Sequence, residues 1–166
     1  ITVDCHKWLN VPYESAVFLI KNEHQLLQME TFQNANAAYL GNPLENFSYL
    51  NFLPENSRRL KALPAWFTLK SYGKSGYKEI VEQNVEQALY FSAFIKENPA
   101  FELLAPIRLN TVCFALIDAE KSENFLNVLN SSGKVFMTAT SYKGKKGIRT
   151  AFVNWRTTKT DIDLVT

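Results

Sequence analysis

Near the start of the chain, Asp4-Cys5-His6-Lys7-Trp8-Leu9 sets a lysine among a carboxylate, an imidazole and an indole. On a turn after a strand, flanked by groups able to hydrogen-bond a phosphate or hold a cofactor ring, such a lysine can be desolvated. Its pKa then falls, and the free amine can form a Schiff base with an aldehyde. Alone, His6-Lys7-Trp8 is a weak pattern that a surface lysine beside a buried tryptophan would also give. Arg149 stands in a run otherwise suited to burial, so its guanidinium calls for an anionic partner, either a substrate carboxylate or a structural acid. Arg58 and Arg59 follow Ser57, and two cations in the first turn of a helix oppose its dipole. Glu45, Glu55 or an upstream carboxylate should compensate them, as a structural clamp rather than as catalysts.

The chain has 166 residues, 46% of them apolar, enough for one domain or for a small domain plus a piece of another. A formal net charge of +2 gives no strong field, which argues against nucleic acid and against a charged membrane surface as partners. Cys5 and Cys113 follow no metal-ligand spacing, so no metal site is expected, and two thiols in a chain of this size suggest a reducing, cytoplasmic compartment. No apolar run approaches the length of a membrane span, and Ala16 to Ile20 is only strand-sized, so no membrane span is expected. The chain opens on isoleucine without the zones of a signal peptide, which reads as a cut point with more protein upstream.

The elements that must position these residues can be read from the apolar pattern. Ile1–Val3 and Ser15–Ile20 suit buried strands joined by a functional loop, in a sheet whose other members are missing. From Gln33 to Glu55 the period is lost while Asn, Gly, Pro and Ser accumulate, as in a mobile active-site loop. Ser57 offers an N-cap for a helix through Leu60, Leu63, Trp66, Phe67 and Leu69, which Pro64 should kink and Gly73 and Gly76 should end. Tyr77–Asn98 carries the strongest amphipathic period. Strands follow at 101–104, 111–117, 135–141 and 148–155, with a helix at 120–129 and another beginning near Thr158. A turn at Gly144-Lys145-Lys146-Gly147 joins two strands as an antiparallel pair. The resulting unit is α+β, with helices on one face of a small sheet.

Several segments in order carry a family resemblance: Asp4-x-His6-Lys7-Trp8, Asn10-Val11-Pro12-Tyr13, Ser57-Arg58-Arg59, Leu63, Trp66 and Tyr72-Gly73. They continue through 110–114 (Asn-Thr-Val-Cys-Phe) to 149–154 (Arg-Thr-Ala-Phe-Val-Asn). Together they resemble the group II pyridoxal-phosphate-dependent amino-acid decarboxylases, which act on aromatic amino acids, glutamate and related substrates. The resemblance implies pyridoxal 5′-phosphate as cofactor, Lys7 as its Schiff-base lysine, and His6 and Asp4 as its neighbours. It also implies that Tyr39, in the irregular stretch, is the loop phenol that returns a proton after decarboxylation, and that Arg149 anchors the substrate α-carboxylate. Relatives with phenylalanine in place of the loop tyrosine tend toward aldehyde formation, so Tyr39 favours simple decarboxylation.

The fold implied is a C-terminal small α+β domain plus the last strands and helices of a fold-type I α/β large domain. Residues 1–56 would end the large domain with its mobile loop, 57–98 would be linking helices, and 99–166 the small domain. The resemblance further implies a homodimer with its active sites at the interface, so that Tyr39 serves its neighbour's cofactor. The family's acid for the pyridine nitrogen, its ring-stacking histidine and most phosphate ligands precede the lysine. The isolated chain is therefore expected to be inactive without the missing N-terminal portion. Departures are Pro64 within a helical stretch and the spacing between Lys7 and Arg58, which leave the substrate open. The alternatives are an aldehyde synthase or aminotransferase of the same fold, and a non-catalytic fragment or dimerisation module.

Overall fold

The computed structural model describes residues 1–32, 41–42, 45–46, 48–55 and 57–166. Strands β1 (Thr2–Asp4) and β2 (Ala16–Phe18) form an antiparallel pair in the register Thr2↔Phe18, Val3↔Val17 and Asp4↔Ala16. Both strands were expected to be buried, yet every residue in them is exposed. Apolar runs of this kind need a covering layer on each face, and none of the described residues supplies one.

After a 3-10 turn at Asn22–His24 comes helix α1 (Gln25–Phe32), which the apolar pattern did not announce because Leu26 and Leu27 are exposed and Met29 alone is buried. The end of the irregular stretch also has structure. Ser48 accepts from the backbone N–H of Leu50 and caps a 3-10 turn at Tyr49–Phe52. That turn packs on α1, where Gln28 Nε2 donates to the carbonyl of Phe52 at 2.9 Å.

Helix α2 (Ala62–Glu97) organises the rest. It begins at Ala62, with Lys61 in the N-cap position and no side-chain cap, so Ser57 does not start it and Arg58 and Arg59 precede its first turn. Pro64 does not kink it, because it falls in the first turn, where the missing N–H would have had no intrahelical partner. The break is at Gly73, with φ 60° and ψ −171°, a left-handed φ that glycine adopts without steric cost. Gly76 lies within the helix, so of the two expected stops only Gly73 interrupts it.

The C-terminal half of α2 lies on a four-stranded antiparallel sheet of order β3-β4-β6-β5, comprising β3 (Phe101–Leu103), β4 (Thr111–Leu116), β5 (Thr138–Tyr142) and β6 (Lys145–Ala151). Phe91 and Ile95 of α2 meet Val112, Phe114 and Ile148 of the sheet, and Ile162 closes the core from α4 (Lys159–Asp163). Phe91 and Phe114 touch edge to face, with centroids 5.7 Å apart. Helix α3 (Ser122–Ser131) adds Phe125, Leu126 and Leu129 at its rim.

The turn between β5 and β6 is shorter than expected. Tyr142 pairs with Lys145, leaving Lys143 and Gly144, both at positive φ, as a two-residue loop, so Lys145 to Gly147 already belong to β6. Thr158 caps α4 in the expected place, in a reciprocal box with Asp161. Among the described residues no helix is long and apolar enough to cross a membrane.

Candidate active site

The lysine occupies the loop that follows β1. Backbone bonds from Cys5 N–H to the Ser15 carbonyl (3.0 Å), from Asn10 N–H to the Lys7 carbonyl (2.9 Å) and from Val11 N–H to the Cys5 carbonyl (3.3 Å) close that loop. Asn10 has φ 54° and Glu14 φ 80°. The left-handed region suits asparagine and is uncommon for glutamate, so the loop needs outside support, which α2 provides. Trp8 Nε1 donates to Asn84 Oδ1 at 2.9 Å, Asn10 Nδ2 to the Tyr72 hydroxyl at 3.2 Å, and the Tyr77 hydroxyl to the Leu9 carbonyl at 3.1 Å. Cys5, Val11 and Ala65 form a small buried cluster beneath it.

Within this frame Lys7 Nζ donates to Asp4 Oδ2 at 2.6 Å. The Lys7 ammonium, by hydrogen bond and by charge, holds the Asp4 carboxyl below the usual carboxylate range. Asp4 thus faces a cation, so its charge is compensated within the loop. His6 stacks on Tyr13, with ring centroids 4.1 Å apart and planes 16° apart. The desolvation expected of Lys7 is not present in this chain, where its side chain is 57% exposed.

The other expected residues lie elsewhere. Tyr39 falls outside the described residues. Arg149 is on β6 with Cys113 and Thr138 as its cross-strand neighbours, and it is exposed. The run around it alternates instead of being buried throughout, since Ile148 and Thr150 face the core and Arg149 the opposite side. Its guanidinium forms no ion pair with a described residue, and nothing among the described residues joins it directly to Lys7. Arg59 has its compensating carboxylate in Glu14, an exposed pair that ties the lysine loop to the start of α2. Arg58 lines a groove of about 610 Å³ between β2, α1 and α2; Lys7 does not line it.

Asn84 was not picked out from the sequence, although a signal existed. It stands at helical spacing between Ile80 and Ala88, at a core position where an apolar side chain is expected, and Gln87 follows on the same face.

The described residues fit pyridoxal phosphate in one respect. Lys7 presents an accessible primary amine on a loop tied to α2 by three side-chain hydrogen bonds, and a primary amine is the group with which an aldehyde cofactor forms its covalent bond.

The model of the pyridoxal-dependent decarboxylase conserved domain matches residues 1–117. The tryptophan decarboxylase of Camptotheca acuminata is 30% identical over 157 residues, covering 87% of this chain and 31% of that enzyme. The phenylacetaldehyde synthase of Arabidopsis thaliana is 28% identical over 162 residues, covering 90% of this chain and 32% of that enzyme. Among solved structures, Catharanthus roseus tryptophan decarboxylase in complex with L-tryptophan aligns with a TM-score of 0.80 at 23% identity, over 99% of this chain and 34% of that one. The expected fold therefore holds, as part of a decarboxylase fold, and the chain spans about a third of the length of the curated relatives it matches. With the match running from the lysine loop through α2 into β4, the chain belongs to the pyridoxal-dependent decarboxylase family, whose cofactor is pyridoxal phosphate.

Proposed function

We propose that this chain is the lysine-bearing C-terminal portion of a pyridoxal-phosphate-dependent L-amino-acid decarboxylase, a carboxy-lyase. The observation that carries the reading is the Lys7 amine, presented on a loop anchored to α2 and set 2.6 Å from Asp4. When bound, the cofactor supplies an electron-withdrawing ring that takes up the electron pair left as the carboxylate departs. Lys7 would hold the cofactor covalently between turnovers, and Asp4 would keep the lysine amine in place while the substrate amine has displaced it. His6, fixed against Tyr13, forms one wall of the cofactor site. Tyr39 returns a proton to the substrate α-carbon, and the exposed guanidinium of Arg149 binds the substrate carboxylate.

Arg149 lies on the four-stranded sheet and Lys7 on the loop that follows β1 of the separate two-stranded sheet, so the reading requires the rest of the protein to complete the pocket between them. The uncovered apolar residues of β1, β2 and the first half of α2 are the surfaces that this remainder and a second subunit would bury. Alone, the 166-residue chain is inactive, because the partner of the pyridine nitrogen and most phosphate ligands come from the preceding portion.

Relatives include both a decarboxylase and an aldehyde synthase, and product identity separates the two readings. The test is to supply L-amino acids, aromatic ones first, to the complete protein loaded with pyridoxal phosphate and to identify carbon dioxide with amine or with aldehyde. Amine as the main product, lost in Lys7→Ala, supports the proposal. Aldehyde as the main product with Tyr39 intact overturns the decarboxylase assignment, and turnover by the pure 166-residue chain overturns its inactivity.

A further inference from the structure

Asn84 is fully buried on the core face of α2, in line with Ile80, Ala88, Phe91 and Ile95. A polar side chain there is retained only if its hydrogen bonds are met, and they are met in one direction. The Trp8 indole N–H can only donate, so Asn84 Oδ1 must accept from it, at 2.9 Å. Asn84 Nδ2 then donates to Gln87 Oε1 at 3.1 Å and toward the Asn154 carbonyl at 3.5 Å. Gln87 Nε2 donates onward to the Thr157 carbonyl, which also accepts from Gln83 Nε2 at 3.0 Å. Main-chain carbonyls cannot donate, so both ends of this chain of amides fix its polarity. One end is the residue next to Lys7, and the other is the segment that follows β6, the strand carrying Arg149.

We infer that Asn84 is a positioning residue: by orienting Trp8 it sets the conformation of the lysine loop, and through Gln87 it couples that loop to residues 154–157 of the sheet unit. Its relevance to chemistry rests on Lys7 being the cofactor lysine, and the experiment keeps the two ideas apart.

The complete protein is treated with pyridoxal phosphate alone, reduced with borohydride, and digested. Labelling of Lys7 is compared by peptide mass with that of Lys78, an exposed lysine on α2. Backbone hydrogen exchange is followed in residues 5–14 and 154–157. Asn84→Leu should lower the Lys7-to-Lys78 labelling ratio by about threefold or more and speed exchange in both segments. Trp8→Phe should reproduce the lower ratio from the other side of the bond, and the double variant should add little. Phe114→Leu, which loosens the core without touching the network, should leave the ratio unchanged. An unchanged ratio in Asn84→Leu, or an equal fall in Phe114→Leu, overturns the positioning role. If the unsubstituted complete protein labels Lys7 no faster than Lys78, the reading of Lys7 fails. The coupling is then decided by exchange, and unaltered protection of both segments in Asn84→Leu overturns it.

Discussion

Strand β4 buries Val112, Phe114, Ala115 and Leu116, whereas β1 and β2, hardly less apolar, expose every residue. The contrast lies in what stands opposite. Strand β4 has α2 across its face and β3 and β6 at its edges, so its side chains interdigitate with Phe91 and Ile95. The hairpin has each strand's partner, a few polar ties from its loop to α2 and the small apolar cluster of Cys5, Val11 and Ala65. On the proposed function, stability and chemistry are therefore lodged in different places, with the sheet unit holding the chain folded and the lysine loop borrowing its shape from that unit.

This separation can be broken most directly at Phe91, which is almost fully buried at the centre of the aromatic cluster. Phe91→Ala should cost about 3–5 kcal/mol, seen as a large fall in the urea midpoint. Little loss would mean that the sheet unit is not the stabilising half. Gly147→Ala comes next. A Cβ there would stand 2.6 Å from the Phe114 carbonyl oxygen and would also meet the Leu104 side chain. Backbone cannot yield cheaply, so a loss of about 1–3 kcal/mol is expected, measurable by thermal unfolding.

Lys7→Ala sharpens the comparison from the other side. The side chain is 57% exposed, so stability should change by less than about 0.5 kcal/mol, while reductive labelling at position 7 disappears. A substantial fall in melting temperature would show that the loop contributes to the fold.

The smallest effect is with acid. The Asp4 pKa is depressed by Lys7, so the pair's contribution is complete above the ordinary aspartate value and is lost as pH falls through the lower folded value. Carbon NMR of the Asp4 carboxyl should give a midpoint below that ordinary value. A midpoint at it would show that the pair does not persist in solution.

The sheet unit was legible in the sequence because its signals are local. Strands β3 and β4 and the second half of α2 carry clear periods, and Thr158 with Asp161 announces α4. Boundaries set by tertiary context were not legible: α1 presents one buried residue, Pro64 is harmless only because the helix starts two residues before it, and the Lys143-Gly144 turn is defined by the register of β5 on β6. Lys7 stood out as a candidate because its flanking residues form a motif. The surroundings of Arg149 were misjudged, since an alternating strand was taken for a continuously buried one. Asn84 was overlooked because a polar residue at a core position is invisible to a search for apolar period and becomes meaningful only once Trp8, far away in sequence, is seen to meet it.

The break at Gly73 bears on how this protein could be divided in the laboratory. Helix α2 ties down the lysine loop on both sides of that residue, through Tyr72 before it and through Tyr77 and Asn84 after it. A cut at the helix break would therefore sever the scaffold of the loop itself. An engineer grafting this lysine loop onto another scaffold would have to carry both helical arms and the glycine between them.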